Sequence, residues 1–125
     1  DHVQGILDVC FNGHAGETYN IGGSNEVKNI DTAIMICDIL DNSISEKPNG
    51  LNSFRDLIQF VKDRPGHDLR YAIDSSKIRT ELSWVPKTSF KDGLEKTVKW
   101  YLDNEEWWTE ILNKKYSLKR LGRLE

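Results

Sequence analysis

The first hydrophobic positions of the chain follow the period of an amphipathic helix. Apolar side chains recur at spacings of three and four residues until Asn12-Gly13, where the helix is predicted to end. This stripe consists of Val3, Ile6, Leu7, Cys10 and Phe11. Because an apolar stripe on a helix is normally buried, we expect the helix to pack through it.

Two short runs of apolar, β-branched and aromatic residues predict strands. Residues 17–21 stop at Gly22-Gly23, and residues 57–61 lead directly into a turn at 63–68. Residues 71–73 form another brief extended run after the turn. The polar stretch 41–52 has no period and is predicted to be a connecting loop.

Three further helices are predicted, each behind a short polar residue that is suited to cap the first turn. These residues are Asn29, Asp74 and Ser89, the last with Asp92 in a capping box and opening the longest element. The helices carry stripes at Ile30, Ala33, Ile34, Cys37 and Leu40, at Ile78 and Leu82, and at Phe90, Leu94, Val98 and Tyr101. Trp100, Trp107 and Trp108 favour docking of the last helix on another surface.

Composition narrows the class of protein. The 125 residues are 38% hydrophobic and 30% charged, which fits a single globular domain. The net charge of −3, without a basic tract, argues against a nucleic-acid surface. No apolar run has the length of a membrane span and no signal sequence is visible, so a cytoplasmic location is expected.

Metal and disulfide chemistry are not expected. Cys10 and Cys37 lie far apart within apolar helical patterns, which predicts small buried hydrophobic residues in a reducing compartment. His2, His14 and His67 lack the spacing of metal ligands.

The sequence opens inside a helical pattern and does not begin with methionine, so we expect a fragment of a longer protein. The terminal Leu124-Glu125 is either native or the remnant of an expression tag, which leaves residues 1–123 for the fold argument.

The turn Asp63-Arg64-Pro65-Gly66-His67-Asp68 is the candidate for function. Proline followed by glycine is typical of the central positions of a type II turn. A guanidinium from Arg64 and an imidazole from His67 would suit a phosphate or carboxylate, so the turn indicates an anionic ligand. An ordinary polar surface turn is the alternative that these six residues leave open.

Asn29 also allows two interpretations. Its amide can cap the following helix, or the free N–H groups of that helix terminus can help to bind an anion.

Catalytic patterns are missing from the sequence. There is no Gly-x-Gly-x-x-Gly fingerprint for a dinucleotide, no tyrosine with a lysine four positions on, and no Gly-x-Ser-x-Gly elbow. The residues alone therefore indicate an α/β fragment with an anion-contacting turn.

Three motifs in order resemble the C-terminal part of the dTDP-glucose 4,6-dehydratases, which are extended short-chain dehydrogenases/reductases. The motifs are Ala15 to Gly23, the run Asn25 to Asp31, and Asp63 to Asp74 with its Arg-Pro-Gly-His-Asp-x-Arg-Tyr sequence. A later run from Lys77 to Tyr101 is similar to the end of the same family. Leu69 departs from the family, in which a second basic residue often precedes Arg70.

The resemblance implies an α/β substrate-binding region of several helices and a few short strands. The family's enzymes are NAD-dependent lyases that convert dTDP-glucose to dTDP-4-keto-6-deoxyglucose and water, and are expected to be homodimers. By residue match, the substrate would be contacted by Asn29, Asp63, Arg64, Pro65, Gly66 and His67. An N-terminal Rossmann part would hold NAD and every catalytic residue, so the fragment alone is predicted to be inactive and to bind no cofactor or metal.

Two other functions stay open. The chain could be the same region of another nucleotide-sugar dehydratase or epimerase. In a different class, it could be a free-standing module that binds an anion or a nucleotide.

Overall fold

The computed structural model describes residues 1–63 and 65–115. Five α-helices follow one another along the chain: α1 (His2–Asn12), α2 (Asn29–Ser43), α3 (Ser76–Leu82), α4 (Phe90–Asp103) and α5 (Glu105–Lys115). Short 3₁₀ helices at Pro48–Gly50 and Phe54–Leu57 lie between α2 and α3. None of the helices in this described part is long and apolar enough to cross a membrane.

One half of the molecule is built where α1 meets α3. Gly5 is buried in this contact, because a Cβ atom there would lie only 3.0 Å from Ile21 Cγ2 and 3.1 Å from Trp84 Cε2. Ile78 of α3 is fully buried and Trp84 is nearly so. Two large side chains are thus buried where α1 approaches α3 closely, so α1 is packed tightly on the domain at Gly5.

The other half packs α2 against the Phe54–Leu57 helix and against α4. Phe54 and Val98 are buried there. The Asp41 carboxylate accepts hydrogen bonds from the Ser53 hydroxyl and the Phe54 N–H, which ties the short helix to α2. Arg55 adds an ion pair with Asp38, with 2.6 Å between Nε and Oδ1. Polar contacts therefore fix how Phe54 enters the core.

The predicted strands are not present in the described residues. Residues 17–21, 58–63 and 71–74 have no strand partner, and the only pairing found within residues 1–63 and 65–115 is an isolated antiparallel bridge between Lys28 and Arg70. A strand needs backbone hydrogen bonds to a neighbouring segment, and within this part of the chain none of these runs pairs in that way. The residues 54–57, which include the start of one predicted strand, form a 3₁₀ helix instead.

The predicted apolar stripe of α1 does not pack. Val3, Ile6, Leu7 and Phe11 are all exposed, with Phe11 at 78%. They lie on the side of α1 away from Gly5, the residue through which the helix contacts the domain. Cys10 is exposed on the same side, so its predicted burial is wrong, and Cys37 is only half-buried.

Helix starts were predicted with mixed success. Ser89 caps α4 as expected, because its hydroxyl oxygen accepts from the Asp92 N–H at 3.1 Å. The cap position of α3 is Ser75, preceded by Asp74, whose carboxylate accepts from the Ser76 N–H at 2.9 Å. At 15 residues α2, and not α4 with 14, is the longest helix described.

The aromatic residues at the end of the chain's described part pack on one another. Trp100 forms edge contacts with Tyr101 and Trp107, each at 5.2 Å between ring centroids. The Trp108 indole N–H donates to the Tyr101 carbonyl, which folds α5 back on α4. Trp107 is still 54% exposed, so part of the expected docking surface faces outward.

Candidate anion-binding turn

The turn that the sequence singled out lies at the surface. Gly66 has φ of +70°, in the region that favours glycine, as predicted for the second corner of the turn. A Cβ at this position would meet no atom within 4 Å, so glycine is required by the backbone and not by crowding. Asp63, Pro65 and His67 are exposed around it. Arg64 lies outside the described residues.

Asn29 lies next to the end of this turn. It is the first residue of α2 and Lys28 holds the cap position, so the predicted capping by Asn29 does not occur. Its side-chain Nδ2 instead donates to the backbone carbonyl of Asp68 at 3.3 Å. The structure therefore brings Asn29 and the 63–68 turn together, although 39 residues separate Asn29 from Asp68.

Two more contacts join the same two segments. Lys28 and Arg70 form the isolated antiparallel bridge, and the Arg70 guanidinium makes an ion pair with the Glu26 carboxylate. Both side chains of the ion pair are about half exposed. The N-terminal end of α2, with its free N–H groups, thus lies beside the residues that follow the turn.

The remaining predicted site residues are not joined by side-chain contacts. No hydrogen bond links Asp63 or His67 to the Asn29 side chain within residues 1–63 and 65–115. Every described residue from Gln59 to Asp74 is exposed. The turn is thus an open surface feature, able to offer backbone N–H groups and an imidazole to an anion.

A groove with a volume of about 560 Å³ runs alongside this region. Residues 22–26 and residues 71–74 line the groove together with Phe90. The Asn20 side chain donates to the Asp74 carbonyl beside the groove, and Glu26, which pairs with Arg70, is one of the lining residues. Hydrogen bonds from the Ser76 hydroxyl and N–H hold the pKa of Asp74 below its ordinary value.

A second cavity, of about 790 Å³, lies between the end of α2 and α4. It contains none of the predicted site residues, and its lining on α4 includes both lysines and carboxylates. We interpret it as the groove between two packed helices and place the candidate site at the turn, where the predicted site residues of the described chain lie.

Sequence reasoning missed the roles of Glu26 and Arg70. Both belong to the motifs that carry the resemblance, but no role was assigned to either. The available signal was charge: an acidic residue three positions before Asn29 and a basic residue two positions after Asp68. When two residues of opposite charge lie next to two segments that are expected to meet, an ion pair between those two residues is favoured.

The sequence matches a known protein family. The family model described as GDP-mannose 4,6 dehydratase matches residues 1–97, which is most of the chain. The chain therefore belongs to the GDP-mannose 4,6-dehydratase family, a group of short-chain dehydrogenase/reductase type.

Within that family the chain is homologous to dTDP-glucose 4,6-dehydratases. It is 53% identical over 125 residues to the enzyme of Escherichia coli, covering 100% of this chain and 34% of that one. The enzyme of Neisseria meningitidis serogroup B is 52% identical over 122 residues, or 98% of this chain and 34% of its own. The recognition made from the motifs is confirmed.

Solved structures agree with this. The dTDP-glucose 4,6-dehydratase of Bacillus anthracis in complex with NAD superposes with a TM-score of 0.71 at 39% identity. The Streptomyces venezuelae enzyme, with NAD and TYD bound, gives 0.74 at the same identity. Each comparison covers 88% of this chain and 31% of the other. The chain thus spans about a third of the length of the relatives that it matches.

Proposed function

We propose that this chain is the C-terminal substrate-binding region, residues 1–123, of an NAD-dependent dTDP-glucose 4,6-dehydratase. The intact enzyme would convert dTDP-glucose to dTDP-4-keto-6-deoxyglucose and water, as a cytoplasmic homodimer. The chain would grip the nucleotide diphosphate and supply no catalytic group. Contacts far from the reacting carbons still serve such a reaction, because they orient the sugar for chemistry at its other end.

The observation that carries the proposal is the contact between Asn29 and the Asp63–Asp68 turn. It brings together two sequence segments that the resemblance independently identified as substrate contacts. Backbone N–H groups at the start of α2 and around Gly66 and the imidazole of His67 are donors suited to a diphosphate, and we propose that the Arg64 guanidinium adds to them. Two relatives that are more than 50% identical to this chain over the aligned residues are dTDP-glucose enzymes, which supports this nucleotide.

NAD does not fit the residues described. A dinucleotide pyrophosphate is held where a strand runs through a glycine-rich loop into a helix. Residues 1–63 and 65–115 contain no strand and no such loop. When bound elsewhere in the enzyme, NAD would accept and return a hydride, and we propose that an N-terminal Rossmann part holds it.

The exposed face of α1 supports the existence of that part. Val3, Ile6, Leu7 and Phe11 would bury a continuous apolar stripe if another domain covered them. The relatives that the chain matches extend far beyond it, since it covers only 34% of their length. We propose that the Rossmann part is the domain that packs on this face.

Titration of the chain with dTDP tests the binding role. We expect weak binding, with the backbone amide signals of Gly66 and His67 shifting in NMR spectra and those of α5 unchanged. GDP is the control nucleotide, because the matched family model describes a GDP-sugar enzyme. Equal shifts with GDP would favour another nucleotide-sugar dehydratase, and no shift with either nucleotide would contradict a role in substrate binding.

Substitution of Arg64 tests the diphosphate contact in the full-length enzyme. A hydrogen bond to a charged group contributes about 1.5 to 3 kcal/mol, so R64A is expected to raise KM by about one to two orders of magnitude. Steady-state kinetics with dTDP-glucose give the measurement. An unchanged KM would remove Arg64 from the site, and dehydratase turnover by the 125-residue chain alone would contradict the assignment of catalysis to another part.

A further inference from the structure

We infer that Glu26 and Arg70 form a positioning pair that holds the anion-binding turn against the N-terminal end of α2. The inference rests on the proposed function, because the turn matters only if it contacts the substrate. Neither residue is proposed to touch the ligand. Their role would be to fix where the turn residues and Asn29 lie relative to each other.

The turn needs such a support because burial does not provide it. Phe54 and Ser75 are buried, but every described residue from 59 to 74 is exposed. Exposed side chains give the backbone of these described residues few packing contacts that would limit its motion. Its position therefore depends on polar contacts to the body of the domain.

Three of these contacts lie close together at the end of the turn. Asn29 donates to the Asp68 carbonyl, Lys28 pairs with Arg70 through the backbone, and Arg70 pairs with Glu26 through its guanidinium. All three connect the segment before and at the start of α2 to the residues just after the turn. A guanidinium fork is well suited to this because it holds a carboxylate in a defined direction.

Arg70 also neutralises the charge of Glu26 close to the proposed anion contact. Glu26 lies three residues before Asn29, so its carboxylate is close in sequence to the proposed anion contact. An unpaired carboxylate beside a bound diphosphate would repel it. The ion pair with Arg70 neutralises that charge without bringing Arg70 to the ligand.

A direct contact between Arg70 and the diphosphate is the rival explanation, and it predicts the opposite sign for one variant. If Arg70 binds the ligand, E26Q releases the guanidinium and dTDP binds as well or better. If Arg70 positions the turn, E26Q loosens the pair and dTDP binds less well. An exposed pair of this kind accounts for about a threefold to fivefold change in affinity at most.

The experiment compares dTDP dissociation constants of the 125-residue chain and its variants by NMR titration. We expect E26Q to weaken binding about threefold and R70A to weaken it more, because R70A leaves Glu26 unpaired. The double variant R70A/E26Q is expected to recover part of the R70A loss, and the charge-reversed pair E26R/R70E to recover part of the affinity. Binding by E26Q that equals or exceeds that of the original chain would overturn the inference.

Glu17 provides a matched control. Its carboxylate pairs with Lys77 at 2.6 Å, and both side chains are partly exposed, as in the Glu26–Arg70 pair. The pair lies between residues 14–21 and α3 and does not include the turn. E17Q is expected to leave the dTDP dissociation constant unchanged, and an equal loss in E17Q would overturn the positioning role.

A measurement without ligand separates this inference from the proposed function. In the free chain, E26Q should shift the Gly66 and His67 amide signals and speed their hydrogen exchange, whereas E17Q should not. Absence of these changes overturns the positioning pair even if dTDP binds. If the changes occur but dTDP never binds, the proposed function fails and the pair remains a structural contact. Equal urea midpoints for both variants would show that neither acts through global unfolding.

Discussion

Helices α1 and α4 have the same kind of amphipathic pattern but opposite relations to the core. In α4 most of the stripe faces the molecule, where Val98 is 7% exposed on a helix that packs against α2, although Tyr101 at the end of the stripe is 48% exposed. In α1 the stripe points outward, and the helix contacts the domain through Gly5. The difference shows that hydrophobic periodicity identifies which face of a helix is to be buried, but not which body will bury it.

The two helices also differ in what sets their approach to the domain. Close packing of α1 depends on a missing side chain, because Trp84 and Ile21 occupy the space that a Cβ on Gly5 would need. Packing of α4 depends on a side chain that is present, Val98. Adding a side-chain atom at Gly5 should therefore disturb the packing of α1, whereas removing side-chain atoms at Val98 should disturb the packing of α4.

The largest expected effect comes from truncating the two apolar stripes. V98A removes a buried side chain and should lower the free energy of unfolding by about 2 kcal/mol. F11A removes a larger side chain that is 78% exposed, and should change it by less than about 0.5 kcal/mol. Urea unfolding at equal protein concentration measures both. A loss in F11A as large as that in V98A would mean that the α1 face is covered in solution, for example by a second copy.

Replacing one glycine in each helix with alanine should change stability by a smaller amount, and the change should have opposite signs in α4 and α1. G93A gains helix propensity of up to about 1 kcal/mol, since its nearest contact is an ordinary 3.6 Å to Thr88 Cγ2. G5A gains the same term but overpacks buried Trp84, which costs about 1 to 3 kcal/mol. We expect thermal melts to move up for G93A and down for G5A, and equal upward shifts would show that α1 can move away from Trp84.

The smallest effect concerns acid sensitivity on the α4 side of the molecule. Hydrogen bonds from the Ser53 hydroxyl and the Phe54 N–H lower the pKa of Asp41 from its ordinary 3.8. Because the folded chain favours the ionised form, this contact stabilises it above pH 3.8 and is lost as the pH falls through the lowered pKa. D41N should lower the free energy of unfolding near neutral pH, and it should make the further loss of stability below pH 3.8 smaller than in the original chain.

Urea midpoints over a pH series measure this difference. D8N is the control on α1, where the Asp8 carboxylate accepts only a local hydrogen bond from Gln4 among the contacts of the described residues. If D41N leaves the pH profile of the urea midpoint unchanged, ionisation of Asp41 does not contribute to the stability of the α2 packing.

Local signals in the sequence predicted the elements that depend on neighbouring residues. The Ser89 cap, the positive φ of Gly66 and the shared face of α3 at Ile78 all follow from a few adjacent positions. The strands at 17–21 and 57–61 were predicted from composition, and they fail within the described chain because pairing requires a second backbone.

The candidate site was predicted in its residues but not in its connections. The motifs pointed to Asn29 and the turn, yet the hydrogen bond from Asn29 to Asp68 and the pair of Glu26 with Arg70 join segments about 40 residues apart. Capping was the local expectation for Asn29, and the tertiary contact replaced it. Contacts of this range depend on the fold, which a single sequence does not supply.

Burial of Trp84 against Gly5 gives the molecule an internal optical probe. Of four tryptophans, Trp84 is the one described as buried, whereas Trp100 and Trp107 are about half exposed. An indole in an apolar contact emits at shorter wavelength and is shielded from aqueous quenchers, so iodide should suppress the emission of the other indoles first. The emission that survives reports whether α1 is seated on the domain.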